Sequence, residues 1–320
     1  MIKKTTGLLT DPIYLQHQTG LHPEKPERLT ATLEKLQSSS IWGQLKIIPA
    51  KMPKPGLIEL VHDSDYISEL ERKITSGVDY VYSPDCTVSA ETFKVAQNAA
   101  GGALSLVDHL LDGEISNGFG LIRPPGHHAE QKQAMGFCYF NNIAICAEYL
   151  IQHQDYKRIL IMDFDVHHGN GTQHFFESRS DVYYCSIHES PQTCFPGTGY
   201  QSEKGIGAGI GYTLNMAMNA GVGDTVYAEV LENVFMPAWE SFKPEFVLIS
   251  AGFDAHYQDP LASIEVTNKS FVLYTKALCD IAERFCQGKL LSLLEGGYNL
   301  KVMPELIESH ISVLLDSVTG

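Results

Sequence analysis

The sequence predicts an α/β fold built on a buried, parallel sheet, and three observations carry that expectation. Five apolar runs, at 119–122, 159–162, 182–187, 246–250 and 290–294, have the length of strands. None alternates with polar residues as a strand with one wet face would, so each reads as covered on both faces. Stretches with apolar residues three and four apart, at 90–111, 141–153, 227–242 and 270–287, read as helices between them. Strand alternating with helix is the α/β pattern.

Composition sets the outer bounds. The 320 residues are 44% apolar and only 19% charged, enough for one large core and free of the signature of disorder. The net charge of −15 argues against direct nucleic-acid binding, which needs a basic footprint, and is compatible with a cationic substrate. No apolar run approaches the roughly eighteen residues of a membrane span.

Taken in order, the opening Met1-Ile-Lys-Lys has no sustained apolar stretch behind it and is not expected to be a secretory signal. The richest loop signal, Pro49-Ala-Lys-Met-Pro-Lys-Pro-Gly56, is too short for an interdomain linker, so 1–320 reads as one domain. The seven cysteines form no Cys-x-x-Cys pair and read as reduced thiols in a cytoplasmic protein, with Cys279 and Cys286 on one core-facing helix side.

The polar clusters at the ends of the apolar runs are more informative than the runs themselves. Run 119–122 leads into Arg123-Pro-Pro-Gly-His127-His128, and 159–162 into Asp163-Phe-Asp165-Val-His167-His168-Gly-Asn170. Run 182–187 carries Ser186 and Ile187 and ends at His188, 246–250 leads to Asp254, and 290–294 leads to Glu295-Gly-Gly-Tyr298. In an open parallel sheet the carboxyl ends of the strands share one edge, and ligands bind there. Five polar clusters far apart in sequence should therefore meet.

Asp163, Asp165 and His167 alternate, so an extended backbone would turn all three to one side. Asp165 and His167 could hold a divalent metal with Asp254 as third ligand, whereas an isolated Asp-x-His is more often a strand-end cap. His127 and His128 after a Pro-Gly turn can face one cavity as an acid–base group and a charged stabiliser. Tyr298 beyond two glycines could donate to a developing oxyanion. Phe137 and Phe195, on loops, could line an apolar slot. His17, His109, His153, His174, His256 and His310 lack a comparable setting and read as surface or satisfied core histidines.

Together these segments resemble the histone deacetylase superfamily, most closely its class II branch. The resemblance runs from His22-Pro-Glu-Lys-Pro-Glu-Arg28 to Glu295-Gly-Gly-Tyr298, and its most specific pieces are Arg123-Pro-Pro-Gly-His-His-Ala129, Gly136-Phe-Cys-Tyr-Phe-Asn-Asn142, 163–173 and Ser250-Ala-Gly-Phe-Asp-Ala-His256. It implies an arginase-like three-layer fold around a mostly parallel eight-stranded sheet. It implies zinc held by Asp165, His167 and Asp254, and potassium near Asp163, Asp165, His167, Ser186 and the backbone of Ile187. Phe137 and Phe195 match tunnel aromatics, Leu261 and Asp85 match rim positions, and Arg28 matches the internal cavity through which acetate leaves. Asn170, the partner of His128, stands where class I enzymes carry an aspartate, and should raise the basicity of His128 less.

The implied activity is zinc-dependent hydrolysis of acetyl-lysine, with His128 as general base, His127 paired with Asp163 as a cationic stabiliser and Tyr298 as oxyanion donor. Rival readings are an acetylpolyamine amidohydrolase, a two-manganese ureohydrolase whose second set of ligands is missing, and a non-catalytic acetyl-lysine binding module, against which intact His128 and Tyr298 count. The expected partner is an acetylated lysine substrate, with no membrane, and homo-oligomerisation is left open.

Overall fold

The computed structural model describes residues 5–319, so Met1-Ile-Lys-Lys4 and Gly320 lie outside the described residues. Among the described residues there are eight strands, β1 (Thr6–Leu9), β2 (Leu45–Ile48), β3 (Asn117–Gly120), β4 (Ile159–Asp163), β5 (Val182–Glu189), β6 (Thr213–Met218), β7 (Phe246–Ala251) and β8 (Leu290–Leu294). They form one sheet in the order β2-β1-β3-β8-β7-β4-β5-β6, and every neighbouring pair is parallel, which sharpens the expected "mostly parallel". In β4, β7 and β8 every residue is buried, as unalternating apolar runs require.

The main helices are α1 (Glu27–Ser38), α2 (Ser64–Thr75), α3 (Thr92–Leu111), α4 (Asn142–Gln154), α5 (Asn170–Phe176), α6 (Asp224–Val230), α7 (Met236–Phe242), α8 (Asn268–Cys286) and α9 (Met303–Thr319). They cover both faces of the sheet. On β3 the Phe119 ring meets His310 of α9 at 5.4 Å, while the adjacent position, Gly118, faces Leu106 of α3. Successive residues of a strand point to opposite faces, so α3 and α9 lie on opposite sides. Among the described residues no helix is long and apolar enough to cross a membrane.

Four expected runs coincide with β4, β5, β7 and β8, and the fifth is displaced toward the N-terminus, to Asn117–Gly120. There Asn117 starts the strand because its side chain is satisfied inside the fold, by Thr6 Oγ1 at 2.7 Å and the Leu314 carbonyl at 2.8 Å. The helix expected over 227–242 is α6 and α7 joined by a π-helical segment, Leu231–Phe235, just ahead of Pro237. Cys279 and Cys286 are buried on α8, as expected.

Register aligns the working edge. Asp163 of β4 is level with Ser186 of β5 and Ser250 of β7, and Ser250 is level with Leu293 of β8. The residues just past these positions leave the sheet side by side.

Candidate active site

Asp165 and His167 come just after β4, and Asp254 just after β7, its direct neighbour. His167 Nδ1 lies 3.1 Å from Asp165 Oδ1 and 3.2 Å from Asp254 Oδ2. The Asp254 Oδ1 accepts the Val166 N–H at 2.9 Å, and Asp165 Oδ2 accepts the Gly296 N–H at 2.7 Å, so backbone amides orient both carboxylates. Residue 296 must be glycine, because a Cβ there would stand 2.0 Å from Asp254 Oδ2. One ligand atom from each of the three residues lies within 4.8 Å of the others.

The trio is a candidate cation site. Burial disfavours a charged His167, yet the hydrogen bonds of Asp165 and Asp254 raise its basicity well above the usual imidazole value. Two buried carboxylates against one imidazole attract a positive charge. The donor set, two oxygens and one nitrogen beside an open cavity, fits a catalytic zinc ion.

Strand alternation, expected to gather this cluster, is not what gathers it. β4 stops at Asp163, and the chain then bends, with Asp163 Oδ1 accepting the Asp165 N–H at 3.1 Å. The side chains converge through that bend, rather than through an extended strand running to His167.

The histidine pair sits beside the trio, its ring centroids 4.0 Å apart. His127 Nδ1 is 3.0 Å from Asp163 Oδ2. Burial opposes a charged His127, but Asp163, Asp165 and Glu295 outweigh it and lift its pKa to about 10, so the ring is cationic. His128 Nδ1 is 2.7 Å from Asn170 Oδ1. Burial and the positive charges of His127 and His167 push His128 well below the usual value, which leaves it neutral. Two adjacent histidines thus hold opposite protonation states, which is the division of labour expected of a stabiliser and a base.

Tyr298 closes the site from β8. Burial raises its pKa well above the ordinary phenol, so it stays a hydroxyl donor. Its N–H donates to Asp259 Oδ2 at 2.7 Å, while Asp259 Oδ1 takes the Leu261 N–H at 3.1 Å. Asp259 therefore ties the Tyr298 loop to the rim loop. Sequence reasoning missed it; Asp259-Pro260 signals a local turn, but the link to Tyr298 spans 39 residues.

Beneath Tyr298, the Arg28 guanidinium carbon lies 4.9 Å from the ring centroid. Arg28 donates to the Gly297 carbonyl at 2.7 Å, to the Glu295 carbonyl at 2.5 Å and to Glu24 Oε1 at 3.2 Å. Arg28 is thus an internal side chain, buried and held by three hydrogen bonds.

A cavity of about 390 Å³ leads from the surface to His128, His167 and Tyr298. Phe137 and Phe195 line it, with Leu261 and Asp85 also on its wall, so the sequence-derived slot and rim are brought together. The Phe195 ring stands 5.1 Å from His128, and Phe137 stands 5.8 Å from Tyr298. Gly136, at φ +54°, is required here, since a Cβ would lie 2.4 Å from the His128 ring. Asp85 Oδ2 accepts the Gly136 N–H at 3.0 Å, and Asp85 Oδ1 takes the Ser83 hydroxyl. Asp163 and Ser186 pair across β4 and β5, next to Ile187, and the Ser186 hydroxyl meets His188 Nδ1 at 2.7 Å.

Comparison with known proteins agrees with this architecture. The histone deacetylase domain family matches residues 22–314. A probable deacetylase of Archaeoglobus fulgidus is 38% identical over 302 residues, covering 92% of this chain and 82% of that protein. Histone deacetylase 15 of Arabidopsis thaliana is 40% identical over 298 residues, and the match spans 92% of this chain but only 53% of the plant protein. The crystal structure of the HDA15 HD domain superposes with a TM-score of 0.91 at 37% identity, covering 98% of this chain and 90% of that one. The chain belongs to the histone deacetylase superfamily, with a class II-like fold.

Proposed function

We propose that this protein hydrolyses the N-acetyl amide of lysine side chains in proteins or peptides, releasing acetate, with a zinc ion held by Asp165, His167 and Asp254. The observation that carries the reading is the cation-seeking trio beside one cationic and one neutral histidine, at the end of an aromatic-lined slot. The archaeal relative, a probable deacetylase, supports it.

Zinc at the trio supplies Lewis-acid polarisation of the acetyl carbonyl and lowers the pKa of water toward about 7. His128, neutral and holding its Nδ1 proton on Asn170, accepts a proton from the attacking water at Nε2 and passes it to the departing amine. An amine leaves readily only when protonated, so the shuttle is essential to an amide hydrolase. The His127 cation, fixed by Asp163, stabilises the negative charge of the tetrahedral oxyanion, and the Tyr298 hydroxyl donates to it. Phe137 and Phe195 bury the methylenes of the lysine stem. A potassium ion bound by Asp163, Asp165, His167, Ser186 and the Ile187 carbonyl would brace this edge; the pairing of Asp163 with Ser186 supports that placement.

The rival substrate is an acetylated polyamine, whose free ammonium needs an available carboxylate at the mouth. Leu261 offers none, and Asp85 already accepts the Gly136 N–H and the Ser83 hydroxyl, which hold its carboxylate against the wall of the cavity. We expect kcat/KM for an acetyl-lysine peptide to exceed that for N-acetylputrescine by more than about tenfold, or ~1.4 kcal/mol. The reverse preference would transfer the function to polyamine deacetylation.

A further inference from the structure

A histidine can serve as a base at Nε2 only if its proton sits on Nδ1, and the group facing Nδ1 decides this. An aspartate partner would accept that proton whichever oxygen it presented. Asparagine is different, because its amide has an accepting end and a donating end. Turned one way, Asn170 accepts from His128 Nδ1–H and leaves Nε2 free toward the cavity. Turned the other way, its NH₂ donates to Nδ1, drives the proton to Nε2 and disables the base.

The structure contains a group that fixes the choice. Asn170 Nδ2 donates to Glu130 Oε1 at 2.5 Å, whereas its other acceptors, the His128 carbonyl and the Met135 sulfur, lie at 3.4 and 3.5 Å. A carboxylate accepts and cannot donate, so it holds the NH₂ end of Asn170 toward itself and the oxygen toward His128. Glu130 is itself held. Its N–H donates to the Gln133 carbonyl at 2.9 Å, and its carbonyl receives His62 Nδ1 at 3.0 Å. His174, one turn after Asn170 on α5, brings Nδ1 to the same Oε1 at 2.8 Å. The chain His128–Asn170–Glu130–His174 runs from the buried site to a histidine side chain that is 42% exposed.

We propose that Glu130 is a positioning residue that orients the Asn170 amide and thereby sets the His128 tautomer, with His174 securing its carboxylate. The proposal rests on the reading of His128 as the general base. It amends two sequence expectations: His174 has a setting after all, and the asparagine is backed by a carboxylate one hydrogen bond further out.

Two readouts test this in the zinc-loaded enzyme. Glu130→Gln, whose amide can offer either end to Asn170, should lower kcat by about tenfold to a hundredfold, the worth of one charge-assisted hydrogen bond, with KM and zinc content unchanged. Replacing Asn170 as well removes the need for orientation, so Glu130→Gln combined with Asn170→Asp should recover most of the lost kcat. Independently of turnover, ¹⁵N chemical shifts of the His128 ring should report the Nδ1–H form in the parent and a growing Nε2–H population in Glu130→Gln. Unchanged kcat and an unchanged tautomer in Glu130→Gln would overturn the proposal, as would failure of the second substitution to recover activity. If the parent has the Nδ1–H tautomer and loses it in Glu130→Gln but hydrolyses no acetyl-lysine peptide, the positioning role stands and the functional reading falls.

Discussion

Two buried charge clusters lie at the same edge of the sheet, and they are finished to different degrees. In the lower one, Glu24 receives two hydrogen bonds from Arg123, at 2.6 and 2.7 Å, and one from Arg28. Arg123 directs its remaining donor to the Tyr14 and His17 carbonyls, both at 2.9 Å, and Arg28 donates to those of Gly297 and Glu295. Burial pushes the Glu24 carboxyl up, but Arg123, His17 and Arg28 outweigh it and hold the pKa at about 2. In the upper cluster Asp165 and Asp254 share a single imidazole. In the first cluster one carboxylate and four backbone carbonyls receive the donors of two guanidiniums, and the group acts as a foundation under Tyr298. The second gathers two carboxylates and an imidazole beside the cavity, which makes it the candidate metal centre.

The sharpest way to break the comparison is to remove charge from each cluster in turn. Asp254→Asn in the upper cluster should abolish metal binding and lower kcat/KM by about 10⁴-fold or more on an acetyl-lysine peptide, while folding is retained. Glu24→Gln in the lower cluster should do the opposite, costing about 3–5 kcal/mol in urea unfolding because two buried guanidiniums lose their counter-charge. A Glu24→Gln protein as stable as the parent would show that the lower cluster is no foundation.

Tyr298→Phe probes the junction of the two. It keeps the ring over Arg28 and removes only the hydroxyl, so metal content and stability should hold while kcat falls by roughly 10²–10³. An unimpaired variant would return Glu295-Gly-Gly-Tyr298 to the status of a structural turn.

The smallest effect is a background that both clusters share. Burial lowers His62 to about 4 and His310 to about 3, against an ordinary value of 6.5. As pH falls below 6.5 the unfolded chain takes up these protons first, so stability is full above that pH and declines toward pH 4. Each histidine should remove about 2–3 kcal/mol of unfolding free energy between pH 7 and 4.5. His310→Gln should flatten this slope; a slope unchanged by it would assign the acid sensitivity elsewhere.

The range of each interaction decides how much of the fold was legible in the sequence. The central strands show because they are unalternating apolar runs. β1 and β2 are four residues each and β2 is partly exposed, while β6 is an edge strand with mixed burial, so none offers a distinctive pattern. α5 has only seven residues, too few for a period, and α1 buries Arg28 and Thr32 on the stripe where periodicity looks for apolar groups. α9 carries buried Leu306, Ile307, Ile311 and Leu314 at helical spacing, a periodicity that was present in the sequence but was not among the expected helices.

The site divides in the same way. Asp165 and His167 are two apart, and a motif can display them. Glu24 with Arg123, Asp259 with Tyr298 and Glu130 with Asn170 are separated by 99, 39 and 40 residues, and only the fold brings them together. The candidate site residues stand in local motifs or, like Leu261, Asp85 and Arg28, came from the family resemblance, whereas the partnerships of Glu24, Asp259 and Glu130 became visible through topology.

The claim that the upper cluster is completed by a metal ion is tested most directly by stripping and reloading the protein. The chain would be treated with a chelator, dialysed, analysed for metal and titrated with zinc, while hydrolysis of an acetyl-lysine peptide is monitored. The account predicts no turnover in the stripped protein, recovery that saturates near one zinc per chain, and no recovery in Asp254→Asn. Full turnover by verified metal-free protein would contradict it.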